Sequence, residues 1–333
     1  MKRFLLLTNC LIFIAICCFA LSPLRLVCDS VRLFQMALPA ASGGAYGVDQ
    51  FPPFYPHLLC WLMRLDLCNS VVLYGINILS FGLGLLILHQ IMRVNKCSDL
   101  ESMLVLLTVQ LSWCMAKHIL YAMTDILLLP FFWGCVLMVM YFMEEEKWRR
   151  KMLFATLSVC LAVVAVTIRT AAIPLFGMIA ICLAGISPAR IREFLQRKTL
   201  VFRGGVVILL MFFGGVALLR FSGVSDKGGY FYWFKILIAQ GGVSGFLRVL
   251  RWHVGEWAQL LVNFPIGRLP GWCALPSGLF AIGAIVCAAT MCRKWLNWAL
   301  AVTCVLYGFE IFLWPYTDAR FFLLIIKFSE MSM

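Results

Sequence analysis

The sequence predicts an all-α, polytopic integral membrane protein. It reads as one domain over residues 1–333, with about ten transmembrane helices and interfacial helices in the first and the largest outer loops. Three observations carry that prediction. Hydrophobic residues make up 63% of the 333 and charged residues 13%, with a mean hydropathy of +0.95. Soluble domains hold about 45–50% apolar and about 25% charged residues, so a soluble fold would leave most of this chain without a water-facing surface. The apolar residues come in continuous runs of about 20, which suit membrane-crossing helices rather than alternating barrel strands. Basic residues gather in the short stretches between these runs, as they do in cytoplasmic loops. The net charge of +13 is then a signal of topology, and no nucleic-acid partner is expected.

Taken in order, Lys2 and Arg3 precede the apolar run Phe4 to Leu24. This run is longer than a signal-peptide core and lacks a small-x-small cleavage site, so it reads as an uncleaved outward helix. The stretch Arg25 to His57 is the first to depart from hydrocarbon character. It holds Asp29, Asp49, the pair Gly43-Gly44 and four prolines, and it reads as a loop forming the floor of a site on the outer face. Tyr55 to Leu65 is a short interfacial helix, Asn69 to Met92 spans inward and Met103 to Leu120 returns. Thr124 to Met143 goes inward and stops at the charged cluster EEEKWRRK. Met152 to Ile186 is too long for one span and is interrupted by Arg169, Thr170 and Pro174. It divides into a helix ending near Arg169 and another starting at Ile173.

Ser187 to Arg203 is a basic connector, followed by a span over Gly204 to Phe221 and the largest outer loop, Ser222 to Trp272. Within that loop Phe246 to Phe264 has the spacing of an interfacial helix. Cys273 to Cys292 and Leu296 to Leu313 are the next spans. The turn WPYTDAR leads into an apolar stretch from Phe321 to Met333 that is short for a crossing. Fifteen of the 28 Lys and Arg residues fall in the N-terminus and short loops assigned to the cytoplasm, which sets the N-terminus inside. The 15 cysteines are scattered, mostly within apolar runs, and act as small buried hydrophobes.

The carboxylates sort by side. Asp99, Glu101, Glu144, Glu145, Glu146 and Glu193 lie in cytoplasmic loops as solvated counter-charges. Asp29, Asp49, Asp125 and Asp318 fall at outer helix ends or in outer turns, level with Lys117, His118, Arg169 and Arg320. Ionisable groups near bilayer depth cost a few kcal/mol each and usually face a cavity or one another. Acids and cations from five turns at one level point to a polar cavity opening outward. Asp29 is either a general base held partly desolvated or an ion-pair partner of Arg32, three residues on. Asp125, behind Thr124, is either part of that cavity or a first-turn carboxylate serving the helix dipole. Arg169 and Arg320 suit a phosphate, because guanidinium offers a planar fork of donors; pairing with Asp29 or Asp318 is the structural alternative. No phosphate-binding glycine loop, GxSxG elbow or HExxH helix is present.

These residues resemble the GT-C superfamily of membrane glycosyltransferases, in particular the branch of protein O-mannosyltransferases, bacterial aminoarabinose transferases and their RgtA/B-like relatives. The likeness rests on Asp29 just past the first helix, FPPFYPHLLCWL (Phe51 to Leu62), Thr124-Asp125 opening the fourth helix, Arg169-Thr170 after the fifth, and WPYTDARFFL (Trp314 to Leu323). Its implication is transfer of a sugar from a polyprenyl-phosphate donor to a glycan, lipid or protein acceptor on the outer or lumenal face. By that resemblance Asp29 is the catalytic base, and Asp125 assists it or helps position the substrate. Lys117, His118, Arg169 and Arg320 are candidates for the carrier phosphate, and Asp49, Tyr55, Tyr316 and Asp318 are candidates for holding substrate. Asp29, Asp49 and Asp125 have the hard oxygens a divalent cation takes, but the fixed cations make a metal unnecessary, so no cofactor is expected. A transporter is the rival from another class. It predicts helices broken at the bilayer midplane and an internal repeat, neither of which the sequence shows. A non-catalytic member of an envelope-polymer assembly is the other alternative.

Overall fold

The computed structural model of the protein describes residues 2–19, 28–46, 52–111 and 118–183, with isolated positions at 26, 185, 242, 244, 245, 247, 303 and 306. These residues are 83% helical and contain no strand, so the all-α class holds for them. They form α1 (Lys2–Phe19), α2 (Cys28–Ala41), α3 (Phe54–Arg64), α4 (Ser70–Val94), α5 (Asp99–Leu111), α6 (Thr124–Glu144), α7 (Trp148–Ile168) and α8 (Pro174–Leu183). Three of them, α4, α6 and α7, are long and apolar enough to cross a membrane. At 25 residues, α4 is about 37 Å long against a hydrocarbon layer of about 30 Å. The spans expected from Gly204 onward lie outside the described residues except at Thr303 and Leu306, as does the Phe246–Phe264 helix except at Leu247.

Local chemistry sets the ends of these helices. Asn69 caps α4 by accepting from the Val72 N–H at 3.0 Å, which supplies one of the helix's unpaired first-turn donors with a partner. Ser98 and Glu101 form a capping box on α5. The Glu101 carboxylate accepts from the Ser98 N–H at 2.6 Å and from its hydroxyl at 2.8 Å, while the Glu101 N–H donates to the Ser98 hydroxyl at 3.3 Å. The backbone N–H bond, aided by the hydroxyl, holds the Glu101 carboxyl below its ordinary pKa. Glu101 is therefore more than a solvated counter-charge. Both α3 and α4 close with a left-handed residue, Asp66 (φ 56) and Lys96 (φ 58). In each case the following N–H reaches back to a carbonyl of the last turn, Leu67 to Leu62 at 2.9 Å and Cys97 to Met92 at 3.0 Å, the Schellman pattern.

The long stretch after Lys151 divides as expected. The chain α7 ends at Ile168, Arg169 is extended (φ −154, ψ 127), a 3-10 turn covers Thr170–Ala172, and α8 begins at Pro174. Proline fits there because the first helical position has no use for its missing N–H. The first outer loop differs from expectation. Its first part is not a loop but the 14-residue helix α2, with Pro39 inside it. Ser30, Leu33, Ala37 and Ala40 are buried on one face, at the spacing of a helical stripe, and that face packs on α3.

In the bundle, α6 is buried nearly all round, including Phe132, Trp133, Cys135 and Val136 at 0% exposure. It runs parallel to α4 and antiparallel to α7. Gly84 lets α4 approach closely, since a Cβ there would lie 3.2 Å from Leu129 Cβ; Gly134 faces the Leu161 side-chain end of α7, 3.4 Å from where its Cβ would be. Such small residues let apolar helices pack backbone to backbone. Facing outward are Leu79, Leu83 and Leu86 of α4 and Leu153 and Leu157 of α7, a surface suited to lipid. The first helix joins through a polar contact: Gln110 donates to Asn9 Oδ1 at 2.7 Å, and Asn9 donates to the Met103 carbonyl at 3.2 Å. Phe13 stacks on Phe81 with ring centroids 6.2 Å apart.

A Cβ in the left-handed region costs about 1–2 kcal/mol, more than the ~0.5–1 kcal/mol entropy loss that glycine brings. Lys96→Gly is therefore expected to stabilise the protein by about 0.5–1 kcal/mol, read from the denaturation midpoint of the full chain in detergent.

Candidate functional site

The site starts from the antiparallel contact of α6 and α7, which sets the first turn of one beside the last residues of the other. Asp125 is the second residue of α6. The helix begins from an extended Met123 (φ −140, ψ 165) with no side-chain cap, and Asp125 turns instead to α7. Its Oδ1 accepts a hydrogen bond from Arg169 Nη1 within a salt bridge across 44 residues of chain. The extended backbone at Arg169 takes it out of the α7 helix.

Side-chain exposure is 5% for Asp125 and 15% for Arg169, so neither charge has bulk water to solvate it. A buried charge without a partner is very costly. Here each has the other. Each also sits at the favourable helix pole, the carboxylate at the N-terminus of α6 and the guanidinium at the C-terminus of α7. The second carboxylate oxygen, Asp125 Oδ2, is buried and makes no hydrogen bond among the described residues.

The connection before α6, residues 118–123, is irregular but buried. His118 is 3% exposed, and its ring meets Tyr121 edge-on at 5.8 Å. Asn77 of α4 reaches this connection and donates from Nδ2 to the Ile119 and Tyr121 carbonyls, both at 2.9 Å. Sequence reasoning passed over Asn77. The available signal was an amide set within a run of mostly apolar residues, a residue type that usually hydrogen-bonds across helices.

The helices α2 and α3 stand at the same end of the bundle, because α3 finishes just before α4 begins. Asp29 lies in the first turn of α2 and is partly buried. Tyr55 is 1% exposed in the first turn of α3; burial, reinforced by the nearby Cys68, pushes its hydroxyl pKa upward. The start of α3 is tied to α6 through Phe54 and Phe131, edge-to-face at 6.5 Å. Arg64 Nη2 donates to the Ala40 carbonyl at 2.6 Å and so binds the end of α2 to α3. Tyr46 sets its ring against His57 at 4.0 Å, and a hydrogen bond with Cys60 raises its hydroxyl pKa.

Of the residues singled out by sequence, Asp125 and Arg169 are brought into contact. His118 is in the buried connection leading to Asp125, and Asp29 and Tyr55 are on the paired helices α2 and α3. Asp49, Lys117, Tyr316, Asp318 and Arg320 lie outside the described residues. Among the described residues no group of three or more His, Cys, Asp or Glu is placed to hold a metal ion. Comparison with known proteins finds no matching family model, no matching curated protein and no matching solved structure.

Removing one partner of a buried ion pair costs about 3–5 kcal/mol, whereas an exposed pair contributes about 0–1 kcal/mol. Arg169→Gln is thus expected to lower unfolding stability by about 3–5 kcal/mol. Arg150→Gln, which breaks the 3.8 Å contact between a largely exposed Arg150 and Glu145, is expected to change it by less than about 1 kcal/mol. Denaturation of the two variants in the same detergent checks the contrast.

Proposed function

We propose that the chain is a membrane glycosyltransferase of GT-C type. It has about ten spans, a cytoplasmic N-terminus and a transfer site at the outer face, and it moves a sugar from a polyprenyl-phosphate donor to a glycan, lipid or protein acceptor. The observation that carries this reading is the buried Asp125–Arg169 pair at one end of the bundle. A lipid-borne donor needs a fixed cation at bilayer depth for its phosphate and a carboxylate for the attacking hydroxyl, and this end holds both residue types.

In the reaction Asp29 takes the proton of the acceptor hydroxyl. The acceptor oxygen forms a bond to the anomeric carbon, the bond from that carbon to the phosphate oxygen breaks, and polyprenyl phosphate leaves with the electron pair. Fixed donors aimed at the growing charge stabilise it most where water is excluded. Arg169 is the chief such donor, with Lys117, His118 and Arg320 as further candidates. Guanidinium has five N–H donors, and the bond to Asp125 sets the direction of its plane. Asp125 is on this account a positioning residue for Arg169 rather than a second base. Asp49, Tyr55, Tyr316 and Asp318 hold the sugar and acceptor. The cations supply the charge stabilisation a metal would give, so the reading needs none.

Mass spectrometry of envelope glycans from cells with the chain, without it, and with Asp29→Asn tests this. The expected result is a glycan modification that depends on the chain and is lost with Asp29→Asn while the variant inserts at the wild-type level. Retention of the modification by Asp29→Asn would point to a transporter or a non-catalytic assembly component.

A further inference from the structure

The connection between α5 and α6 raises a problem specific to lipid surroundings. His118, Ile119, Leu120, Ala122 and Met123 are between 0 and 4% exposed, yet only part of the segment is helical. Backbone carbonyls in such a segment need partners from the protein, because the bilayer offers none. Local bonds run from the Tyr121 N–H to His118 O at 3.3 Å and from the Met123 N–H to Tyr121 O at 2.9 Å. Asn77 supplies the anchor to the rest of the fold. Both hydrogens on its Nδ2 are used, one on Ile119 O and one on Tyr121 O, at 2.9 Å each. Only the amide NH2 face can meet two carbonyls, so the orientation of the side chain is fixed by its surroundings. Asn77 itself is 1% exposed and stands on α4, which packs against α6 over much of its length.

The anchored segment ends at Met123, from which α6 starts without a side-chain cap. Asp125 is one turn beyond Tyr121. We propose that Asn77 is a positioning residue: by tying the Ile119 and Tyr121 carbonyls to α4 it fixes the start of α6, and so the Asp125 carboxylate that directs Arg169. This role in transfer rests on reading the Asp125–Arg169 pair as part of the transfer site. The anchoring itself does not.

The test uses the full chain in phosphatidylcholine–phosphatidylglycerol vesicles, as wild type, Asn77→Leu and Asn77→Asp. Leucine keeps the volume and loses the donors; aspartate keeps the shape and replaces donors with acceptors. Interhelical hydrogen bonds in membrane proteins contribute about 0.6 kcal/mol each on average. Loss of two raises local opening by roughly tenfold. Both variants are expected to show amide hydrogen exchange about tenfold faster over residues 118–125, with α4 and α7 as protected as in wild type. Glycan product, read by mass spectrometry of envelope glycans from cells carrying each variant, is expected to fall in both, and Asn77→Leu added to Asp125→Asn lowers it no further, because the effect passes through Asp125. Unchanged exchange over 118–125, or a loss of protection spread evenly over all helices, overturns the anchoring. Localised faster exchange with full product, or additive losses with Asp125→Asn, overturns the positioning role. If the wild-type chain makes no product, the transfer reading fails alone, and the exchange pattern still decides whether Asn77 is the anchor.

Discussion

The salt bridge between Asp125 and Arg169 joins the first turn of α6 to the residue that ends α7, and much of the surrounding geometry follows from the need to keep it closed. In lipid, separation would take the carboxylate and the guanidinium from a contact that bulk solvent does not replace. The pair therefore fixes the relative height of the two helices. It also explains why α7 stops where it does. An extended residue at 169 takes the guanidinium out of the helix, and the 3-10 turn after it redirects the chain into α8.

The same constraint accounts for the other polar residues in the bundle. Asn9 and Gln110 meet each other and backbone carbonyls between α1 and α5, and Asn77 serves the irregular connection before α6. At the opposite end of the bundle the demand is lower. The capping box at Ser98 and Glu101 and the contact between Arg150 and Glu145 lie among exposed residues, where water shares the task. Buried polar contacts thus tie the start of α6 and the pairing of α1 with α5, while the exposed ones cap α5 and adjoin the start of α7.

Much of the helical layout was legible in the sequence because hydrophobic runs and charged breaks act over neighbouring residues. The bounds of α3, α4 and α6 and the break at Arg169 follow from such local signals. The helix α2 was not legible. Asp29, Pro39 and the Gly43-Gly44 pair gave its segment the composition of a loop, while three of the four residues in its helical stripe of Ser30, Leu33, Ala37 and Ala40 are small and carry little hydrophobic signal. Asp125 and Arg169 were each visible as charges out of place. Their pairing depends on an antiparallel packing that no local pattern encodes. Asn77 stood out as an amide in an apolar run, but its partners did not, because backbone carbonyls have no sequence signature.

A double-mutant cycle on Asp125→Leu and Arg169→Met, read by equilibrium unfolding of the full chain in detergent, tests the ion pair most directly. If the two charges hold each other in a water-poor site, the double variant is more stable than either single one, with a coupling of about 3 kcal/mol. If the two losses simply add to within about 0.5 kcal/mol, the charges do not depend on each other, and the account of this end of the bundle is contradicted.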